Sequence, residues 1–237
     1  MYKKIIFTFK LKLKRLLQKL GFMLSDSERP AMITAMNYEQ YFLLTTLINK
    51  SINNISKDDI KNLYIVEAGI GFGNTFSYLT LIAEKISTKI IGFDSFCGFP
   101  EIVNPRDRRL SKKKLLKGQW NVSSKKSIKE KLKYTGISNK FIINNVELVE
   151  GYFEDSLKSF NKNKKIFFLH LDVDLYSSYK TCLEYLWDSV IDGGIIVFDE
   201  YHDTKWADAK DAIDEFLKKK NKKVEIDPIF KRGFLIK

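Results

Sequence analysis

Lys165-Ile166-Phe167-Phe168-Leu169-His170-Leu171-Asp172-Val173-Asp174-Leu175-Tyr176 is a β-branched and aromatic run that ends abruptly in two carboxylates. A run of this length and composition reads as a buried central strand. Beyond it, Tyr179, Cys182, Leu183, Leu186, Trp187 and Val190 recur at helical spacing. Gly193-Gly194-Ile195-Ile196-Val197-Phe198 then reads as turn glycines opening a second apolar strand, which ends in Asp199-Glu200-Tyr201. Strand, crossover helix and strand make a parallel βαβ unit, so the fold class is α/β. Ligands of such sheets bind outside the carboxyl ends of the strands, where Asp172, Asp174, Asp199 and Glu200 all fall. Clustered carboxylates repel one another and cost stability unless a cation neutralises them. Hard oxygen donors without paired cysteine or histidine favour Mg²⁺, Ca²⁺ or Mn²⁺ over Zn²⁺. An acid at a strand-to-helix turn also serves as an N-cap, but a cap needs one acid and each of these turns carries two.

Upstream, Leu63 to Ala68 is an apolar strand containing Glu67, and Gly69-Ile70-Gly71-Phe72-Gly73-Asn74-Thr75 is a glycine-rich turn opening a helix that runs to about Ile86. Glycines let a backbone approach a ligand closely, and the helix N-terminus offers N–H donors to it. The second strand, Lys89 to Asp94, ends in an acid 25 residues after Gly69, the position from which a carboxylate meets ribose hydroxyls. The turn is GxGxG and lacks the third glycine of the nicotinamide fingerprint. Glu67 just before it is typical of a site meeting the cationic amino group of a methionine moiety. A helix over Ser124 to Thr135, a strand over Val146 to Glu150, a helix over Lys205 to Lys219 and a terminal hairpin (Val224 to Ile226, Gly233 to Ile236) complete the pattern. Before the core, Asn37 to Ile52 reads as a helix with Tyr38, Tyr41, Phe42, Leu44, Thr45 and Ile48 on its apolar face.

The 237 residues suffice for one domain with a sizeable core. The net charge of +12 is unevenly placed: residues 1–20 hold seven basic and no acidic residues, and residues 106–133 hold twelve basic against two acidic. Only six of the 41 basic residues are Arg, the side chain that nucleic-acid readers use for bidentate contacts, so a nucleic-acid partner is not expected. Residues 1–30 read as a basic amphipathic arm and linker. Lys10, Lys12 and Lys14 interrupt the apolar stretch that a secretory signal or membrane span would need. The arm can pack on the domain or on a second subunit, the simpler reading, or touch an anionic membrane surface at its periphery. Residues 31–237 read as the catalytic domain, with a basic insertion at about 103–122 as its lid. The unpaired Cys97 and Cys182 are expected as free thiols in a cytoplasmic protein. His170 reads as a packed core residue and His202 as a surface one, whereas Tyr176, Tyr201 and Trp206 are candidates to shape a pocket.

Taken together, Val66-Glu67-Ala68-Gly69 with Gly71 and Gly73, Phe93-Asp94-Ser95-Phe96-Cys97-Gly98-Phe99-Pro100-Glu101, Leu171 to Tyr176, and Asp199-Glu200-Tyr201 resemble the macrocin O-methyltransferase family of S-adenosylmethionine-dependent sugar methyltransferases. The resemblance covers about residues 30–220. It implies a class I methyltransferase (Rossmann-like) fold: a seven-stranded, mostly parallel sheet with a reversed last strand and helices on both faces. It also implies Mg²⁺ dependence, an acceptor sugar with neighbouring hydroxyls, and a homo-oligomer. By position, Asp172, Asp199 and Glu200 look like the metal ligands, an arrangement also similar to catechol O-methyltransferase, and Asp174 looks like the general base. Glu200 stands where the family usually has Asp. Glu67, Gly69, Gly71, Gly73, Thr75, Asp94, Ser95 and Asp172 are the residues expected around S-adenosylmethionine. The basic insertion, with its lysines and Arg106, Arg108 and Arg109, reads equally as a surface that meets the diphosphate of a nucleotide-linked sugar and as a solvated loop of ordinary surface charge. A nucleic-acid methyltransferase and a catalytically inactive cofactor-binding protein of the same fold are the alternatives. No Asn-Pro-Pro-Tyr or Asp-Pro-Pro-Tyr segment supports the first.

Overall fold

The computed structural model describes residues 38–53, 55–109 and 114–237. The arm expected over residues 1–30 and part of the insertion lie outside them. Seven strands form one sheet: β1 (Leu63–Ala68), β2 (Lys89–Asp94), β3 (Val146–Glu150), β4 (Lys165–Leu171), β5 (Val190–Phe198), β6 (Glu225–Ile226) and β7 (Gly233–Ile236). Their order is β3-β2-β1-β4-β5-β7-β6. The first five are parallel, while β7 runs antiparallel to β5 and β6 antiparallel to β7. The expected seven-stranded class I methyltransferase sheet with its reversed strand is therefore present. The strand order reverses between β1 and β4, the place where open α/β sheets bind their ligands.

The helices are α1 (Tyr38–Ile52), α2 (Lys57–Ile60), α3 (Asn74–Ile86), α4 (Lys125–Tyr134), α5 (Asn139–Asn145), α6 (Phe153–Ser156), α7 (Tyr176–Leu186) and α8 (Ala207–Lys219). They cover both faces of the sheet. Val66, Leu169 and Leu171 pack with Tyr179 and Leu183 of α7 and Ile213 and Leu217 of α8. Ile65, Phe168 and Val197 pack on the other face with α1, α3 and α4 through Leu44, Ile48, Phe76, Leu79, Ile128 and Leu132. Burying each such side chain contributes about 1.5–3 kcal/mol, so the central strands anchor the domain. Among the described residues, no helix is long and apolar enough to cross a membrane. Cys97 is exposed and Cys182 buried, both as free thiols.

Two local departures from the sequence reading have physical causes. Phe167 and Phe168 face the same core, although neighbours in a strand normally alternate. The β1–β4 register passes from Tyr64↔Ile166 to Ile65↔Phe168, so Phe167 is bulged out of the ladder. Its carbonyl accepts instead from Ser51 Oγ at 3.0 Å. The glycines Gly193 and Gly194, read as a turn before the second strand, lie within β5, which begins at Val190. They occupy the segment where the pairing jumps from Ile166↔Val190 to Phe168↔Ile195, and glycine tolerates such irregularity. On α1 the buried face is Tyr41, Leu43, Leu44, Leu47, Ile48 and Ser51. Tyr38 and Phe42 point outward, edge-on to Phe230.

Candidate active site

Backbone hydrogen bonds continue one residue past the strand ends and align the loops above them. Gly69 N donates to the Phe93 carbonyl, Asp172 N to that of Ala68, Asp199 N to that of Leu171, and Gly151 N to that of Asp94. The loops after all five parallel strands thus open into one cleft of about 410 Å³. Gly69, Gly71, Thr75, Asp94 and Ser95 line one part of it, and Asp172, Asp174, Asp199 and Glu200 another. Two expected cofactor residues, Glu67 and Gly73, are not in its wall.

The glycine turn is shaped by contact. Gly69 has a φ of +87°, and a Cβ there would sit 1.7 Å from the Asp172 carbonyl oxygen. Only glycine lets the turn press against the acidic loop. Asp94 organises the same turn from β2: its Oδ2 accepts from Ile70 N (2.9 Å) and Gly71 N (3.0 Å), and its Oδ1 from Phe96 N (2.7 Å). Burial pushes this carboxyl up, against the opposing pull of those three N–H groups. Gly73, at φ +75°, is the N-cap of α3 and supplies no side-chain cap. Its Cα backs onto Ile128 of α4, and Lys131, one turn further on, donates to the Phe72 carbonyl at 2.8 Å. Glu67 is fully buried under the turn and paired with His170 Nδ1 at 3.0 Å. The two sit opposite each other in the β1–β4 register, so the packed core role read for His170 is what it has.

At the acidic end, one oxygen each from Asp172, Asp174 and Glu200 lies within 4.8 Å of the others. Neither Asp172 nor Asp174 caps the following helix, because α7 starts at an N-cap of Leu175 with no side-chain hydrogen bond. Burial, then the neighbouring acids, pushes all three carboxyls up: Asp172 and Glu200 well above the ordinary range and Asp174 to about 7. Asp174 sits at a φ of +58°, a conformation uncommon outside glycine and typical of functional turns. The buried Tyr179 hydroxyl lies 2.5 Å from Glu200 Oε2 and 3.0 Å from the Leu171 carbonyl, fixing the glutamate from below. Asp199 stands slightly apart. Its Oδ1 accepts from Gln40 Nε2 of α1 at 3.0 Å and faces Arg232 Nη1 at 3.3 Å, and Oδ2 is uncommitted among the described residues. A group of hard carboxylate oxygens that raise one another's pKa is the donor set a divalent cation such as Mg²⁺ neutralises.

The insertion is fastened at its start. Arg106 pairs with Asp211 (2.9 Å) and Glu215 (2.7 Å) of α8 and lies 3.9 Å above the Tyr176 ring, while Arg108 pairs with Asp208 at 2.7 Å. Asp107 accepts from Ser177 N at the start of α7. At its end, Phe99 N donates to the Gln119 carbonyl and Gly118 N to the Phe99 carbonyl, and Trp120 meets Phe72 edge-on at the mouth of the cleft. Trp206 lines the cleft, whereas Tyr176 is bonded to Glu215 and Tyr201 to Asp214, both away from it. His202 is exposed. Gln40, Tyr179 and Lys131 were not singled out from the sequence. Tyr179 reads there as one more apolar residue of a helix face, and the other two act on residues far away in the chain.

The sequence profile described as Macrocin-O-methyltransferase (TylF) matches residues 30–235. The chain belongs to that family. It is thereby an S-adenosylmethionine-dependent O-methyltransferase. Solved structures agree on the fold. The calicheamicin methyltransferase CalS11 superposes with a TM-score of 0.72 at 21% identity, covering 94% of this chain and 90% of that one. Its apo form, described as a TDP-rhamnose 3'-O-methyltransferase, gives 0.64 at 18%, covering 96% and 93%. The O-methyltransferase NovP gives 0.70 at 19%, covering 94% and 88%. No curated protein matches the methyltransferase in sequence.

Proposed function

We propose that this methyltransferase methylates a hydroxyl of a nucleotide-linked sugar whose neighbouring hydroxyls approach a Mg²⁺ ion at the acidic end of the cleft. The observation that carries the reading is the convergence of Asp172, Asp174 and Glu200 within 4.8 Å of one another, in the same cleft as the glycine turn. The description of CalS11 as acting on TDP-rhamnose supports the acceptor class.

Gly69, Gly71, Thr75, Asp94 and Ser95 would hold S-adenosylmethionine, which supplies a methyl group on a sulfonium. Asp172, Glu200 and the uncommitted Oδ2 of Asp199 would hold the cation, which when bound makes a sugar hydroxyl more acidic and orients it. Tyr179 keeps Glu200 in place, and Gln40 with Arg232 keeps Asp199 in place, so the ligands are set before substrate arrives. Asp174 accepts the proton of the reacting hydroxyl at a carboxylate oxygen as the methyl carbon moves from sulfur to oxygen. With the cation offsetting the neighbouring acids, Asp174 would be held as the carboxylate that a base requires, while its burial keeps it more basic than an exposed aspartate. Phe99, Trp120 and Trp206 line the cleft, and apolar cover of this kind favours a step in which the sulfonium charge disappears.

The experiment is methyl transfer from labelled S-adenosylmethionine to TDP-rhamnose and a panel of TDP- and UDP-sugars, with Mg²⁺ and with EDTA. Mg²⁺-dependent labelling of a sugar with adjacent hydroxyls is the expected result. Labelling of RNA or DNA, or none across the panel by protein that binds S-adenosylhomocysteine, would reject the acceptor class.

A further inference from the structure

Three arginines open the insertion, and two are already used: Arg106 and Arg108 are paired with acids of α8. Arg109 differs. Its guanidinium lies 5.8 Å from the Trp206 ring centroid and forms part of the cleft wall. It makes no ion pair among the described residues, and its Nε is buried with no hydrogen-bond partner among them. A buried N–H of a charged group left without an acceptor is costly, so the site is incomplete as it stands. Lys205, the residue before Trp206, lines the same cleft, and its ammonium too has no acid partner among the described residues. Both cations face the acidic end closely enough to oppose the rise in the Asp174 pKa, although neither pairs with it. Asp203, on the same rim, is the nearest counter-charge in sequence, and its Oδ1 accepts from Lys205 N.

Resting on the sugar methyltransferase reading above, we propose that Arg109 and Lys205 form an anion subsite that binds the diphosphate joining the acceptor sugar to its nucleoside. Arg109 offers a planar fork matched to two phosphate oxygens, with Trp206 fixing its plane, and Lys205 adds a mobile point charge. Two unneutralised cations suit a group with two or more negative charges. A single sugar carboxylate would leave one of them unmatched. Because the diphosphate is attached at one end of the sugar ring, anchoring it beside Trp206 presents the hydroxyls of the ring to Asp172, Asp174 and Glu200. The subsite therefore also selects which end of the acceptor reaches the base.

The test is calorimetric titration of the full chain in EDTA, with and without saturating S-adenosylhomocysteine, using UDP, TDP, inorganic pyrophosphate and glucuronate as probes. Wild-type protein should bind the three diphosphates and not glucuronate. Arg109→Met should weaken them about 10- to 100-fold, Lys205→Met by less, and Arg109→Lys should restore part of the loss. All three variants should bind S-adenosylhomocysteine as the wild type does, which also shows that they fold. Absence of diphosphate binding by the wild type, preference for glucuronate, or unchanged diphosphate affinity in Arg109→Met would overturn the proposal. If Arg109 served only as a counter-charge for the acids, Arg109→Met would leave the diphosphates unaffected and would tighten Mn²⁺ in a separate titration without EDTA, an outcome that overturns the proposal. Failure of S-adenosylhomocysteine to bind would count against the methyltransferase reading instead, since the diphosphate arm is read on the free protein as well.

Discussion

Replacing Asp174 by Asn should make the metal-free protein more stable at alkaline pH while destroying its activity. The carboxyl is raised from 3.8 to about 7 by burial and by Asp199 and Asp203. An acid whose pKa is higher folded than unfolded contributes its full stability below the unfolded value and loses it as pH rises through the folded one. At about 1.36 kcal/mol per pH unit, holding Asp174 ionised at pH 8 costs the fold at most ~4 kcal/mol. Asparagine has the same shape, carries no charge and adopts the positive φ of this position as readily as aspartate. A gain of that size would raise Tm by about 8–16 °C in a chain of this length. The assay is thermal unfolding of wild type and Asp174→Asn in EDTA at pH 5 and pH 8. The difference should be largest at pH 8 and fall to about 1.6 kcal/mol at pH 5, and Mg²⁺ should narrow it at pH 8 by offsetting the charge of the wild-type carboxylate. Equal melting temperatures at pH 8, or the same gain at both pH values, would refute the electrostatic account of the cluster. In transfer assays the variant should lose about 10²- to 10⁴-fold in rate with S-adenosylhomocysteine binding retained.

Gly69→Ala would place a Cβ 1.7 Å from the Asp172 carbonyl at a φ of +87°; it should cost ~3 kcal/mol or more and abolish cofactor binding, read by unfolding and calorimetry. Tyr179→Phe leaves Glu200 without its hydroxyl partner and should cost about 1–3 kcal/mol, with weaker Mg²⁺ binding by titration and little change in S-adenosylhomocysteine affinity. Asp199→Asn keeps acceptors for Gln40 and Arg232 but removes the charge of Oδ2; Mg²⁺ affinity should fall while Tm in EDTA holds or rises.

Much of this was readable in the chain because the decisive interactions are local. Strands β1 to β4 are short, mostly apolar runs whose ends are marked by Asp94, Asp172 or a glycine, and the structure places their bounds where those marks stand. The βαβ unit carried the acidic loops to one edge, as parallel pairing requires. What the sequence hides is set by partners far along the chain. Asp199 meets Gln40, 159 positions away, and nothing near either residue announces the pair. Glu67 and His170 were each noticed separately, and only the β1–β4 register puts them opposite one another, which draws Glu67 into the core rather than the cleft wall. On α1, apolar residues surround most of the helix, so periodicity placed Tyr38 and Phe42 on the inner face, while packing chose Leu43 and Leu47. Among the three arginines of the insertion, charge alone made them equivalent. The acids of α8 distinguish Arg109 by claiming the other two.

The measurement that tests the central claim most directly is calorimetric titration of the protein with S-adenosylhomocysteine, followed by Mg²⁺ into the same complex. The account predicts that both bind, and that the Mg²⁺ step disappears in Asp172→Asn while the first step remains. Cofactor binding without any Mg²⁺ step in the wild type at pH 8 would contradict the assignment of the acidic cluster as a metal centre.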